Sequence, residues 1–167
     1  MNFPTLYKTL QSQDHFEVRQ YDKLLLAKVT VPGPFEVAYE KGREMLIKYL
    51  EGHNYKKQKV GKEYFFMLLS RIDGWEVACI LPQGFSAISL SPCLGDTIYF
   101  EELKPRKVIV YKFNGKSAYT AMMKKIDDLK FWAKSTNFSF DSRVRIVVYK
   151  SFIPFMRKNE IHLDSLG

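Results

Sequence analysis

The sequence predicts an α+β protein built from a duplicated ββαββ unit. Two apolar runs, a segment of helical periodicity and two further apolar runs fill the first half of the 167 residues, and this order returns in the second half. The strand before each helix ends at a glycine, Gly33 or Gly115, and these lie 82 positions apart. Such a unit packs as two pseudo-symmetric repeats, about residues 15–81 and 97–163, within one domain over residues 1–167. We expect the function to lie in the crevice along their shared axis.

Apolar periodicity and turn signals divide the first repeat into four strands and one helix. The strands are predicted at residues 16–21, 24–31, 58–70 and 75–81. The helix is predicted to begin at Phe35 and to end before Gly52, which lies where a C-cap glycine belongs. Asp73-Gly74 is a hairpin signal between the last two strands of the repeat.

The second repeat has the same order of elements. Its strands are predicted at residues 97–101, 107–113, 143–149 and 157–163. The first two are expected to form a pair with its turn at Lys104-Pro105. Ser117 is a suitable N-cap for a helix that extends to about Lys134.

Composition and charge favour an anionic partner. Apolar residues make up 46% of the chain and aromatic residues 15%, which predicts an ordered core and suits a flat apolar ligand. The net charge of +8 favours nucleic acid, phospholipid surfaces or small molecules with carboxylates. Basic residues form two clusters: Lys56, Lys57, Lys59 and Lys62, and Lys104, Arg106 and Lys107. Because no nucleic-acid-binding motif accompanies them, we interpret both clusters as solvated and predict no nucleic-acid partner.

The sequence predicts neither a metal site nor a disulfide framework. The three histidines stand apart from one another, and the two cysteines lack Cys-x-x-Cys spacing. The chain shows neither a signal peptide nor an apolar run long enough to span a membrane. We therefore expect a cytoplasmic, reduced protein without a transmembrane segment, present as a monomer or weak oligomer.

An apolar segment near the end of the chain is the strongest candidate for a ligand contact. Residues 151–156 place four large apolar side chains in a predicted loop, where exposed apolar surface is costly unless something covers it. Arg157 and Lys158 follow at once. An apolar contact with a cationic flank suits a flat ligand that carries carboxylates. Packing of the loop onto the protein core is the alternative interpretation.

Five segments resemble the SOUL haem-binding family, in the same order along the chain. Residues 16–21 (Phe-Glu-Val-Arg-Gln-Tyr) resemble its opening Glu-Val-Arg-x-Tyr strand, and residues 49–54 are similar to its Tyr-x-x-Gly-x-Asn segment. Residues 91–96 and 114–115 lie where the family has Pro-x-x-Asp and Phe-x-Gly. Residues 149–161 resemble its closing Tyr-x-x-Pro…Arg-Arg-Asn-Glu-Val. The resemblance covers nearly the whole chain.

Two departures mark the chain as a divergent member of that family. Residues 59–66 lack the Met-Thr and Pro of the family's Lys-Ile-x-Met-Thr-x-Pro-Val segment. Ser151-Phe152 replaces the double proline before the family's last loop. The resemblance implies a distorted antiparallel β-barrel of two repeats with two helices. The same fold group includes the gyrase-inhibitory-like and multidrug effector-binding domains.

The resemblance also implies non-catalytic, non-covalent binding of haem or a related tetrapyrrole between the first helix and the last loop. The implied contacts on the helix side are Leu46, Ile47, Lys48, Leu50 and His53. The implied contacts on the loop side are Phe152, Ile153, Phe155, Met156 and Lys158. Lys48 matches a basic helix position near the propionates. His53 is the nearest candidate for an axial iron ligand, although an axial histidine is not general in the family.

Two alternative functions share this fold. An effector-binding module takes flat apolar small molecules, often cations beside a buried acid, and Glu160 is the candidate acid because alternation places it on one face with Lys158 and His162. A hydrolase of reactive electrophiles would use a pocket carboxylate as general base, for which Glu63 and Glu160 are the candidates.

Overall fold

The computed structural model of the protein describes residues 6–62, 65–95, 97–115, 118–149 and 156–167. These residues form two helices and nine strands in an α+β arrangement, and the strand pairs described below are all antiparallel. The elements are β1 (Tyr7–Gln13), β2 (Phe16–Tyr21), β3 (Leu24–Pro32), α1 (Phe35–Leu50), β4 (Phe65–Arg71), β5 (Gly74–Ile80), β6 (Tyr99–Leu103), β7 (Arg106–Asn114), α2 (Tyr119–Ser135), β8 (Phe140–Tyr149) and β9 (Lys158–Ser165). The predicted fold class is confirmed.

The elements group into two compact units. One unit contains β1, β2, β7, β8, β9 and α2, and its strands lie in the order β1-β2-β7-β9-β8. The other contains β3, α1, β4, β5 and β6, and its strands lie in the order β4-β5-β3-β6. We call them the α2 unit and the α1 unit.

Each unit includes the first strand of the other predicted repeat. In the α2 unit, β2 pairs with β7 from Phe16↔Tyr111 to Tyr21↔Arg106. In the α1 unit, β6 pairs with β3 from Leu24↔Leu103 to Lys28↔Tyr99. The expected pairing of β6 with β7 is therefore wrong, because the two edges of β7 are already occupied by β2 and β9.

Helix α2 covers one face of its unit with a continuous apolar stripe. The buried helix residues are Met122, Ile126, Leu129, Trp132 and Ala133, which follow the helical period. Ile126, Leu129, Trp132 and Ala133 form a core with Val18, Ile109, Ile161 and Leu163 of the sheet. The Trp132 ring stacks on Phe16 at a centroid distance of 5.0 Å, and its indole N–H donates to the Gln13 side chain at 3.1 Å. Ser117, the predicted N-cap, lies outside the described residues.

Helix α1 begins after Pro34 and ends at the predicted glycine. Pro34 cannot continue a preceding strand, and Gly52, just past the helix, adopts a left-handed φ of +105°. The helix packs on β3 and β5 and approaches β5 closely at Gly42. A Cβ atom at Gly42 would lie 2.6 Å from the Cβ of Val77, so only glycine fits there without displacement.

The largest differences between the predicted and the observed strands are at β1 and β4. Strand β1 was not predicted, because its residues are almost all exposed and polar and show no apolar alternation. The strand predicted over residues 58–70 begins only at Phe65, and residues 58–62 are a loop. The Asn54 side chain holds the start of this loop, because its amide donates to the Gln58 carbonyl and its oxygen accepts from the Gln58 N–H. These bonds take the place of strand pairing at Gln58. Among the described residues, neither helix is long and apolar enough to cross a membrane.

We predict that Gly42→Ala destabilises the protein although alanine is the better helix former. The propensity gain is about 1 kcal/mol, whereas overpacking against Val77 costs about 1–3 kcal/mol. The free energy of unfolding in urea measures the balance. Lys41→Ala, at the exposed neighbouring position, is the control and should stay within about 0.5 kcal/mol of wild type. A Gly42→Ala variant that is more stable than wild type would contradict the close approach.

Candidate functional site

A buried ionic cluster occupies the face of the α2 unit that lies opposite the helix. Side chains alternate along β2, β7 and β9, so Val18 and Ile161 pack toward α2 while Arg19 and Glu160 project from the other face. Arg19 is only 1% exposed, and Glu160 is 6% exposed. Ionised side chains are almost never buried to this degree unless they are paired.

Arg19 and Glu160 form a two-pronged ion pair across the intervening strand β7. The guanidinium Nη1 and Nη2 donate to the two carboxylate oxygens of Glu160 at 2.9 and 2.8 Å. Its Nε donates to Glu17 at 2.7 Å, and Lys112 also contacts Glu17. The ring of Tyr7 lies over the guanidinium, with 4.1 Å from Cζ to the ring centroid. Parallel N–H···O bonds of this kind are the strongest arrangement for a buried pair.

Glu160 is held ionised by the groups around it. Burial alone would raise the pKa of its carboxyl, but hydrogen bonds from His162 and the charge of Arg19 outweigh burial and lower the pKa to about 2. The His162 Nε2 lies 2.7 Å from Glu160, and the Tyr149 hydroxyl donates to Glu160 at 3.2 Å. A carboxylate so stabilised is a weak base, and its charge is already compensated.

His162 is the neutral member of the cluster. Complete burial, together with the charges of Arg19 and Arg106, lowers the pKa of its imidazole. The Nδ1 atom of His162 is buried without a hydrogen-bond partner among the described residues. A neutral ring that donates from Nε2 leaves only a lone pair at Nδ1, whereas an imidazolium would leave a buried N–H unsatisfied.

A cavity of about 530 Å³ opens beside this cluster within the α2 unit. This volume is within the range of small-molecule sites. Its lining combines aromatic rings with charges of both signs, from residues Tyr7, Asp14, His15, Glu17, Arg19, Lys112, Phe113, Asn114, Tyr149, Lys158, Asn159 and Glu160. The cavity can therefore offer ring contacts and charged hydrogen bonds to one ligand.

The α1 unit carries a counterpart of the same cluster. Thr30 of β3 pairs with Glu76 of β5, and Lys112 of β7 pairs with Glu160 of β9. Glu76 therefore holds the position in its strand pair that Glu160 holds in the other. Glu76 is also buried, and Lys28 lies 2.8 Å from its carboxylate. The Tyr99 hydroxyl donates to Glu76 at 3.2 Å, the distance at which the Tyr149 hydroxyl donates to Glu160. Both repeats thus bury one compensated carboxylate next to a tyrosine hydroxyl.

The residues predicted on the helix side fall into a buried and an exposed group. Leu46 and Leu50 are 0% and 2% exposed and belong to the core of the α1 unit. Ile47 is half-buried, and Lys48 is exposed and paired with Glu44 at 2.7 Å. His53 is exposed, and its backbone N–H bonds to the Lys48 carbonyl at the end of the helix. Ile47, Lys48 and His53 thus present surface to solvent.

Of the residues predicted on the loop side, Phe152, Ile153 and Phe155 lie outside the described residues. Met156 is 59% exposed, and Lys158 is exposed and lines the cavity. The structure therefore shows an apolar and a cationic side chain close together in sequence on the surface of the α2 unit. Glu63, a candidate general base, also lies outside the described residues.

Two partners of Glu160 were not predicted from the sequence. Arg19 and Tyr149 were not identified as site residues, because polar alternation on a strand is typical of a solvent face. The signal that could have found Arg19 is its position beside Glu17 on one strand, with Glu160 and His162 alternating on another. Among the described residues, no three His, Cys, Asp or Glu side chains gather to hold a metal ion. Cys79 and Cys93 are both buried, and they form no disulfide with each other.

Comparison with known families identifies the chain. The model of the SOUL heme-binding protein family matches residues 4–164, nearly the whole length. The chain belongs to this family. The predicted resemblance is confirmed, and haem or tetrapyrrole binding is the character of the family as a whole. No curated protein matches the chain in sequence.

Solved structures share the fold of this SOUL family member at low sequence identity. EcmrR in its DNA complex is 12% identical with a TM-score of 0.62, and the match covers 96% of this chain and 58% of EcmrR. A hydrolase from Listeria innocua is 8% identical with a TM-score of 0.61 and coverages of 93% and 94%. SAV2435 bound to tetraphenylphosphonium is 12% identical with a TM-score of 0.50 and coverages of 91% and 94%. The chain spans little more than half of EcmrR, and these identities establish the fold alone.

We predict that Arg19→Met destabilises the protein by about 3–5 kcal/mol at neutral pH, because it leaves Glu160 buried and unpaired. Glu160→Gln should also destabilise, and the double variant should lose less than the sum of the two single losses. Urea denaturation of the four proteins measures this cycle. Additive losses would show that Arg19 and Glu160 do not interact in solution.

The buried neutral His162 predicts a loss of stability in mild acid. Its folded-state pKa lies below the unfolded value of about 6.5, so the unfolded chain binds the extra proton first. The free energy of unfolding should therefore fall below about pH 6.5, by at most about 1.4 kcal/mol per pH unit. His162→Gln keeps a donor to Glu160 without a titrating group and should flatten this decline. His53→Gln changes an exposed histidine and should leave the decline intact; an unchanged profile in His162→Gln would contradict the assignment.

Proposed function

We propose that the chain binds haem or a related tetrapyrrole reversibly and without catalysis. Membership of the SOUL heme-binding family carries this proposal. The propionates of haem are anionic, which suits a chain of net charge +8. The proposed contacts are those that the family resemblance assigns to the first helix and the last loop.

The surface of the described residues supports these contacts. Met156 is 59% exposed within two residues of the exposed Lys158, so an apolar side chain lies near a cation. On α1, Ile47 and Lys48 present a second apolar and cationic pair. A flat ring with carboxylates would gain apolar contact from Met156 or Ile47 and charge from Lys158 or Lys48. Leu46 and Leu50, fully buried, would support the helix from below.

The state of Glu160 supports binding without catalysis. A general base works best with a pKa near the operating pH, and the pKa of Glu160 is held near 2. Both of its oxygens also accept hydrogen bonds from Arg19. The hydrolase hypothesis would therefore need a different base.

Effector binding is the second candidate function, and the cavity of the α2 unit favours it. At about 530 Å³, with Tyr7 and Phe113 in its lining, the cavity has the size and rings for a flat apolar molecule. SAV2435, which shares the fold, is solved with the apolar cation tetraphenylphosphonium. Against this candidate, Arg19 already compensates the charge of Glu160, so Glu160 attracts a second cation only weakly.

A haem titration of the apo-protein, followed by absorbance, tests the main proposal. Wild type should give a saturable one-to-one change in the Soret band. Met156→Ser and Phe152→Ser should each weaken binding about tenfold, because each loses apolar contact worth about 1.4 kcal/mol. Met123→Ser, on α2, removes another exposed methionine (45% exposed, against 59% for Met156) and is the matched control. A spectral change in His53→Gln would identify an axial ligand.

Two results would overturn tetrapyrrole binding. A weak, unsaturable change that is equal in all variants would mean adventitious adsorption of haem. Preference for tetraphenylphosphonium over haem, lost in Tyr7→Ala, would assign the chain to effector binding at the cavity instead. Tyr7 lines that cavity and is not among the proposed haem contacts.

A further inference from the structure

Two neighbouring loops of the α1 unit concentrate positive charge. Residues 52–62 and 82–95, here called the acid-free loop pair, contain no Asp or Glu. Four lysines lie in the first loop, Lys56, Lys57, Lys59 and Lys62, and all four are exposed. They equal half of the net charge of +8 of the whole chain. Glu51, Glu63 and Asp96 lie directly outside these bounds in sequence, but no ion pair among the described residues involves the four lysines.

Hydrogen bonds fasten the two loops to each other. Asn54 forms a β-bridge with Cys93, and the Tyr55 N–H donates to the Pro92 carbonyl at 3.2 Å. The Lys56 N–H donates to the Ser91 hydroxyl at 2.9 Å. The loop pair is therefore a built surface rather than two independent loops, and ordering it on a partner costs little further entropy.

The same loop pair exposes three large apolar side chains. Tyr55 is 68% exposed, Ile88 is 94% exposed and Leu94 is 44% exposed. Leu94 follows Cys93, the bridge partner of Asn54, and Tyr55 follows Asn54. The exposed apolar residues thus lie on the lysine-bearing platform itself. Apolar side chains rimmed by cations mark a surface that binds something apolar and anionic.

We propose that the acid-free loop pair docks the protein on anionic phospholipid membranes. Lysines near an anionic leaflet each gain about 1 kcal/mol, which makes four of them sufficient for reversible association. Tyrosine favours the headgroup region, and aliphatic side chains favour the acyl boundary below it. Of the proposed tetrapyrrole contacts, His53 belongs to this surface, whereas Ile47, Lys48, Met156 and Lys158 lie outside residues 52–62 and 82–95.

The aliphatic residues favour a membrane over nucleic acid. Nucleic acid would bind the lysines through its phosphates and could stack a base on Tyr55. Nucleic acid would leave the aliphatic side chains of Ile88 and Leu94 exposed to water, whereas a bilayer would bury both. Charge and apolar exposure together therefore match a lipid surface better than a polyphosphate chain.

Cosedimentation of the full chain with phosphatidylcholine vesicles containing about 30% phosphatidylserine tests the proposal. Wild type should bind these vesicles, bind pure phosphatidylcholine far less, and dissociate as salt rises. Lys56→Gln/Lys57→Gln should lower the partition coefficient about 30-fold, the equivalent of about 1 kcal/mol per lysine. Ile88→Ser/Leu94→Ser should lower it about tenfold at unchanged net charge.

The control removes two exposed lysines elsewhere, Lys8→Gln/Lys124→Gln, and should retain most of the binding. All of these positions are exposed, so thermal denaturation should confirm that each variant stays folded. Equal loss in the control would overturn the proposal, because general charge rather than the loop pair would then explain binding. Binding of a labelled oligonucleotide that depends on Lys56 and Lys57 but not on Ile88 and Leu94, without vesicle binding, would assign the surface to nucleic acid.

Discussion

The ion pair between Arg19 and Glu160 fixes the register of the α2 unit. It joins β2, from the start of the chain, to β9, from its end, across β7. A shift of β2 by one residue would turn Arg19 toward α2, into the core formed by Val18 and Ile109. A buried charge without its partner costs several kcal/mol, so that alternative register is strongly disfavoured. The positions of Glu17, Tyr149 and His162 around the pair all follow from this one register.

The same constraint occurs in the α1 unit with different residues. Glu76 holds the register position of Glu160, but its cations are Lys28 from β3 and Arg71 from β4, whereas Glu160 pairs with Arg19 from β2. The duplicated unit has therefore kept one buried carboxylate per repeat while changing the source of its compensating charge. Because Glu76 and Glu160 are both compensated, neither is poised for proton transfer. The groups left for a ligand are the rings and cations of the surface and the cavity.

Local signals in the sequence predicted the elements better than their partners. The helix start at Phe35 and the cap at Gly52 each depend on a few adjacent residues, and both are found in the structure. The hairpin predicted at Asp73-Gly74 forms one residue earlier, because Gly74 already pairs with Arg71 and the turn residues are Ile72 and Asp73. The pairing of β2 with β7 joins residues such as Phe16 and Tyr111, far apart in sequence, and no local pattern encodes it. Residues 58–62 were predicted as part of a strand because the local sequence pattern does not reveal the hydrogen bonds from Asn54 that hold this segment as a loop.

The candidate site also has a part that the sequence predicted and a part that it did not. Family motifs assigned surface contacts at Lys48 and Met156, but alternation alone could not distinguish the buried Arg19 from a solvated residue on an outer face. That distinction matters for function, because Arg19, Lys28 and Lys112 are paired inside the protein. Among the described residues, no ion pair involves the lysines of the acid-free loop pair. The charge that acts on partners is therefore the surface surplus. In the two proposals this surplus attracts an anionic tetrapyrrole and an anionic bilayer, and the exposed apolar residues near each group of lysines determine which partner stays bound.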